Sequence, residues 1–327
     1  MSYMHSPYKV LIIGAGKIGA FFDCPGDEHV LTHAHAFKGN KNFSIAGFVD
    51  TDIARAQEAS GIWGGLFFSD ISQAFKKIGN VEVVVVATPD ATHEKLFQEI
   101  CRYSPPLIFM EKPMGKTKDE IRKIKDRCLK SKTAILVNYS RRFVKEFQIL
   151  QKRIKEEAFG AYITGRGYYG KGVLHNGSHM IDLVRFLVGE IKDAVYLSST
   201  RDFYKDDPSL SAHLKLKSGK SFFMQAIDAR VAAIFEADLF FEKARIRILD
   251  SGFKIEEFRV KDDPVFKGYK VFQSSGILRT SLGQALSGAV KNIAGHLSHG
   301  EALLCTVQDG YRAAEIPLNL IAQEADR

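Results

Sequence analysis

The first chemistry-bearing pattern in the sequence is Leu11-Ile-Ile-Gly-Ala-Gly-Lys-Ile-Gly19, a GxGxxG run directly after an apolar segment. Gly14 permits a tight turn, Gly16 lets the backbone approach a pyrophosphate, and Gly19 lets a helix pack closely on a strand. A helix N-terminus at this point supplies N–H groups and a positive dipole end, so Lys17 and Ile18 belong with the glycines to a cofactor-binding turn. Asp50 closes the next apolar segment. An acid there accepts hydrogen bonds from an adenosine ribose and repels a 2′-phosphate, which favours NAD over NADP. No arginine follows immediately, Arg55 being the nearest.

Two further segment ends carry reactive side chains. In Ala87-Thr-Pro-Asp90, Thr88 either lines a nicotinamide ribose or caps the turn before a helix; the two roles are compatible. In Glu111-Lys-Pro113 the proline keeps Lys112 extended, which presents its ammonium beyond the end of a strand. A partly desolvated amine there passes a proton to or from a hydroxyl. In the C-terminal half, His175, His179 and Asp182 stand at i, i+4 and i+7, a polar stripe on an otherwise apolar helix that stops at Gly189. Such a stripe is expected to face a cleft. Asn176 or Ser178 could cap that helix and leave His175 just outside it. The competing readings are satisfied core histidines, or a metal site from the HxxxH pair, for which no further ligands can be named. Arg141 and Arg142 are either surface charge or a carboxylate or phosphate site, with Arg142 the candidate contact.

These residues need elements to hold them. The first ~140 residues alternate short apolar strands with helical patterns, the signature of a parallel sheet covered on both faces. Strands are expected at Tyr8–Ile13, Phe43–Val49, Val81–Ala87, Leu107–Met110 and Ala134–Asn138, with helices at Asp52–Ser60, Ser69–Lys77, Ala91–Cys101 and Lys118–Lys130. From Gly19 to Asp50 is 31 residues, against about 20 in the usual pattern, so residues 22–32 read as an insertion that breaks the first helix at Pro25-Gly26. His29, His33 and His35 in or beside it are expected to be surface or capping histidines rather than zinc ligands. After Tyr139 the pattern turns to consecutive alternating strands, Ala212–Leu216, Ser221–Ile227, Ala237–Phe241, Arg245–Leu249 and Lys254–Val260. They predict an antiparallel meander with one open face, framed by helices at Lys145–Glu157, His179–Val188 and Glu301–Gln323. The boundary falls near residue 140, giving a dinucleotide-binding domain over 1–140 and a substrate-binding and oligomerisation domain over 141–327.

The chain has 327 residues, enough for about two domains, with 45% hydrophobic and 26% charged residues. Those values exclude a disordered chain, a collagen-like fibre and a coiled coil. No apolar run approaches the ~20 residues of a membrane span, and Met1–Lys9 lacks the apolar stretch of a secretory signal. The four cysteines are scattered without CxxC, so neither a disulfide framework nor a zinc ribbon is suggested. The net charge of +8 owes much to Lys116–Lys132, which reads as a solvated helix face with Ile121, Ile124 and Leu129 buried. Its secondary reading is attraction of an anionic cofactor or substrate. No aromatic-interleaved basic motif points to nucleic acid.

Together Gly14-Ala-Gly16, Asp50, Thr88-Pro89 with His93, Glu111-Lys-Pro113, and Gly177-Ser-His179 with Asp182 resemble the glucose-fructose oxidoreductase / inositol 2-dehydrogenase / rhizopine catabolism (Gfo/Idh/MocA) family over almost the whole chain. The resemblance implies an α/β architecture: a Rossmann doubly wound parallel sheet, then an α+β domain whose open, mainly antiparallel sheet often forms an oligomer interface. It implies an NAD(P)-dependent enzyme acting on sugars, cyclitols or nucleotide sugars, with Lys112 and His179 catalytic. Pro89, His93 and Glu111 join Gly14, Gly16, Lys17, Ile18, Asp50 and Thr88 on the cofactor side, and His175, Asn176, Asp182 and Arg142 form the substrate side. Many members carry Asp four residues before the catalytic histidine, where this chain has His175. The expectation is an NAD-dependent, cytoplasmic homodimer or homotetramer with a sugar-like substrate and no metal, nucleic-acid or membrane partner. The alternatives are a non-catalytic NAD- and sugar-binding sensor, or a reductase for a non-sugar carbonyl compound.

Overall fold

A computed structural model describes residues 6–326, so most of the Met1–Lys9 stretch lies outside the described residues. The chain forms two compact units, one ending at Phe143 but including Gly283–Tyr311, the other comprising Val144–Leu282 and the chain from Arg312.

In the first unit β1 (Tyr8–Ile13), β2 (Phe43–Val49), β3 (Leu66–Phe68), β4 (Val83–Val86), β5 (Leu107–Met110) and β6 (Ala134–Val137) pair in parallel. Their order is β3-β2-β1-β4-β5-β6, the doubly wound arrangement that places ligands beyond the carboxyl ends of the strands. Val83–Val86 is wholly buried, which is why that run lacks alternation. Between the strands lie α1 (His33–Lys38), α2 (Ile53–Trp63), α3 (Ile71–Ile78), α4 (His93–Ile100) and α5 (Lys118–Leu129). Thr32, Asp52, Asp70 and Thr117 cap α1, α2, α3 and α5 by accepting a backbone N–H of the first turn. The edge strand β3 escapes sequence reading because it is three residues long.

The insertion is real, and its construction is visible. One turn, Lys17–Phe21, follows the glycines, and the chain is then extended or turning until α1. Buried Asp23 organises this stretch: its carboxylate accepts from Leu31 N (2.5 Å), Thr32 N (3.2 Å) and Thr32 Oγ1 (2.5 Å), and contacts His35 Nδ1 at 2.9 Å. Val30 N donates to the Gly283 carbonyl and the Gln284 amide to the Glu28 carbonyl, so the insertion also anchors the returning segment.

The second unit holds β7 (Tyr162–Tyr169), β8 (Ile191–Thr200), β9 (Ser209–Leu216), β10 (Ser221–Ala226), β11 (Phe235–Phe241), β12 (Ala244–Leu249), β13 (Lys254–Asp262) and β14 (Lys270–Arg279), with α6 (Lys145–Lys155) and α7 (Ser178–Val188). Burial alternates along β10 and β12, as expected of a sheet covered on one face. The order β14-β13-β12-β11-β7-β10-β9-β8 corrects the simple meander: β7 lies between β10 and β11 and is parallel to β10. Gly165 and Gly167 mask β7 in the sequence. Gly167 is needed there, because a side chain at that position would stand 2.7 Å from Met180 of α7.

A cut at residue 140 assigns all of 141–327 to the second unit, whereas the structure returns residues 283–311 to the first. They contain α8 (Ala285–His299) and the start of α9 (Val307–Ala325). Gly288 brings α8 against Phe143, where a Cβ would lie 2.2 Å from the carbonyl oxygen. The same glycine weakens the helical signal of α8. Thr306 bridges Leu136, and Val137 N donates to the Cys305 carbonyl at 3.0 Å. Arg142 secures this return: it is buried, donates to the Leu304 carbonyl (3.1 Å) and pairs with Asp309 at 3.1 Å. This corrects the anion-site expectation, since the Arg142 charge is already matched inside the fold. Arg142→Ala should therefore cost about 2 kcal/mol of stability, less than a fully buried pair because Asp309 is partly exposed. Urea unfolding checks this; an unchanged midpoint would contradict the tie.

Candidate functional site

The glycine turn shows three different needs for glycine. Gly14 has φ +95°, and a Cβ there would sit 2.7 Å from the Ala87 carbonyl group. A Cβ on Gly19 would lie 2.0 Å from the Gly14 oxygen. Both glycines are demanded by packing. Gly16 is not: its backbone is extended (φ −85°, ψ −164°), and a Cβ there would meet nothing within 4 Å. Asp50 braces the loop, accepting Ala15 N at 2.9 Å through Oδ2 and Asp52 N at 2.9 Å through Oδ1, with Arg55 3.7 Å away. The helix after the glycines, expected to break at Pro25-Gly26, ends earlier, as a single turn over Lys17–Phe21 on which Lys17 is exposed and Gly19 and Ala20 are buried.

At the end of β5 a second cluster forms. Glu111 is buried, and its Oε1 accepts from His33 Nε2 (2.8 Å) and Asn138 Nδ2 (2.7 Å). Burial pushes the carboxyl upward, but the hydrogen bond and charge of His33, the Asn138 amide and the Lys112 ammonium together hold it below the usual carboxylate range. Glu111 therefore supports the loop from within, and its neighbour Lys112 is half-buried before a cis bond to Pro113. His33 is fully buried, edge-on to Phe109 with ring centroids 4.7 Å apart, which corrects the expectation of a surface or capping residue. Its helix starts just after the insertion; spacing alone gave no sign that it would reach β5.

His93 is likewise buried and acts as a clamp: Nδ1 lies 2.9 Å from the Pro113 carbonyl and Nε2 2.9 Å from the Thr88 carbonyl. It joins the two loops instead of offering its ring to a ligand. Thr88 Oγ1 is 2.7 Å from Thr92 Oγ1, and Pro89 is exposed ahead of the short turn Asp90–Thr92.

The second unit carries its own cluster. Val173–Gly177 is one π-helical turn running into α7, so His175 is inside the helical run. Buried Asp207 holds it: Oδ1 accepts Leu174 N (2.8 Å), while Oδ2 accepts His175 N (2.9 Å) and contacts His175 Nδ1 at 2.7 Å. Gly172 makes room, since a Cβ there would lie 2.1 Å from Asp207 Oδ2. Asn176 donates to the Gly170 carbonyl at 2.8 Å. His179 is half-buried and edge-on to Phe235. Asp182 departs from the open polar stripe, being buried with Arg185 at 3.8 Å. Asp207 had no sequence signal beyond the acidic pair before Pro208. Among the described residues no group of three or more His, Cys, Asp or Glu is placed to hold a metal.

Residues 8–139 match the model of the Gfo/Idh/MocA oxidoreductase family, NAD-binding Rossmann fold. This match covers less than half of the chain and shows a likeness of its dinucleotide-binding part to that family. Inositol 2-dehydrogenase of Pseudarthrobacter chlorophenolicus is 28% identical over 200 residues, 57% of this chain and 56% of that enzyme, so the chain spans about half the length of this curated relative. An oxidoreductase from Desulfitobacterium hafniense shares the fold at TM-score 0.82 and 13% identity, covering 99% of this chain and 97% of the other. The WlbA dehydrogenase of Bordetella pertussis, solved with NADH and UDP-GlcNAcA, does so at TM-score 0.77 and 15% identity, covering 98% and 97%.

The residues present suit the dinucleotide of a Rossmann unit. The space over Gly16 is what an approaching pyrophosphate requires, and Asp50 stands at the end of β2, where a ribose is recognised. Glu111 makes a prediction of its own. Its folded carboxyl lies below the unfolded value of 4.5, so its stabilisation is present above that pH and is lost as pH falls through the folded value. Glu111→Gln should therefore lose stability less steeply than the parent below that pH in urea titrations; parallel curves would contradict the assignment.

Proposed function

We propose that the chain oxidises a secondary alcohol of a sugar or cyclitol to the ketone, or reduces the ketone in the reverse direction, with NAD as partner. The open Gly16 carries this reading: the fold tolerates a side chain there, and a ligand lying on the loop does not. NAD, when bound, supplies the hydride-accepting ring. Gly14, Gly16, Lys17 and Ile18 provide the turn beneath it, Asp50 the ribose contact, and Thr88 the loop at the nicotinamide end. Glu111 and His93 position that loop from inside the unit. Lys112 is the first unit's candidate for exchanging the proton of the reacting hydroxyl, its amine being paired electrostatically with Glu111, and His179 is the second unit's candidate. The polyol class is supported by the inositol dehydrogenase relatives.

Gly16→Val should lower NAD affinity by about tenfold or more while leaving the thermal midpoint unchanged. Calorimetric titration and a melting curve read both, and undiminished affinity would remove the basis of the proposal. With NAD and a panel of cyclitols and sugars including myo-inositol, the NADH absorbance should rise. Lys112→Ala and His179→Ala should each slow that rise by about a hundredfold or more with NAD affinity kept; parental turnover in either variant would refute the role of that residue.

A further inference from the structure

The connection between β8 and β9, residues 201–208, is fixed more firmly than a surface loop needs, and it displays an aromatic ring. An aspartate ties each end. Asp202 accepts Lys171 N (2.7 Å) and Ala229 N (3.2 Å) through Oδ2, and Ser209 Oγ donates to its Oδ1 at 3.1 Å. Buried Asp207 accepts the N–H groups of Leu174 and His175. Tyr204 stacks on His175 with centroids 4.0 Å apart, which holds the loop beside the turn leading into α7. Between these ties Phe203 stays 58% exposed. One exposed aromatic means little by itself. This one carries a cation: the ammonium of Lys171, itself an exposed residue, stands 4.4 Å from the centre of the ring. Lys171 has φ +70°, a strained backbone for a residue with a side chain, and the Asp202 carboxylate that ties the loop also holds its N–H. Its neighbours are glycines by necessity, since a Cβ would lie 2.5 Å from the Ile227 oxygen at Gly170 and 2.1 Å from Asp207 Oδ2 at Gly172. Among the described residues no carboxylate pairs with the Lys171 ammonium.

We propose that Phe203 and Lys171 form a substrate-binding platform for a sugar-like ring that carries a carboxylate or a phosphate. This rests on the alcohol-oxidation reading above and narrows its substrate. The face of the phenyl ring is electron-rich, so it attracts the ammonium over it and equally the C–H groups on the apolar face of a sugar or cyclitol. Lys171 supplies the charge that meets the anionic substituent. The two aspartate ties and the strained backbone at Lys171 set both side chains in place before a ligand arrives, which lowers the ordering cost of binding. Neither residue moves a proton. They select and orient the ring and leave its reacting hydroxyl to the groups assigned above.

Calorimetric titration of the protein–NAD complex with D-glucuronate, D-glucose 6-phosphate and D-glucose tests the platform without turnover. The parent should bind one of the two acids about tenfold more tightly than glucose at low salt, and the tighter acid names the anion. Lys171→Gln should remove that preference. Phe203→Ala should weaken all three sugars by about tenfold, with NAD affinity and the melting midpoint kept, and Phe203→Tyr, which keeps the ring, should restore parental binding. Equal affinity for the three sugars in the parent, binding of none of them, or parental affinity in Phe203→Ala would overturn the platform. The same order should appear in KM when NADH formation is followed. Binding in the predicted order with no NADH formed from any sugar would contradict the oxidation reading alone and leave the platform supported.

Discussion

One buried carboxylate governs the first unit. Glu111 sits at the end of β5, where an isolated charge would be costly, and the fold answers with an imidazole from α1 and an amide from just beyond β6. That requirement reaches backward through the chain. His33 can arrive only if α1 starts where it does, and α1 starts where Thr32 caps it against the Asp23 hub. The insertion after the glycine turn is thus part of the machinery that holds the loop bearing Lys112. His93 ties the same loop to the one bearing Thr88, so two strand ends are braced by two buried histidines.

The second unit solves the corresponding problem with a buried aspartate. Asp207 satisfies the backbone of a helical turn and the ring of His175 together, and Gly172 makes the close approach possible. Gly167 and Gly177 let α7 lie close to β7, with Met180 and Tyr169 filling the spaces that side chains would take. In both units the chemically interesting side chains are held by groups that are themselves buried and hydrogen-bonded, which limits the conformations the polar residues can sample.

Much of this was legible in the sequence where one physical rule dominated. β1, β2 and β5 were bounded correctly because each ends in a buried apolar stretch, residues 10–13, 47–49 and 107–110, that stops at a glycine, an acid or a charged loop. The glycine turn and Asp50 were legible because close approach and ribose recognition call for particular residue types. β7, β14 and α8 were not: glycines break the first and third, and β14 is exposed nearly throughout, so no alternation marks it. Arg142 and Asp182 were misread because an isolated charge in a sequence gives no hint of Asp309 or Arg185. His33 and Asp207 were missed because their partners are distant in the sequence or lie in irregular chain.

The central claim is transfer of hydride between a polyol carbon and NAD on this scaffold. It is tested most directly with myo-inositol and related cyclitols deuterated at every ring carbon, followed by mass spectrometry of the recovered cofactor. The account predicts one deuterium per molecule of NADH, carried on the nicotinamide ring, with the matching ketone formed in equal amount. Ketone formed without label in the cofactor, or NADH formed with solvent hydrogen in its place, would contradict it.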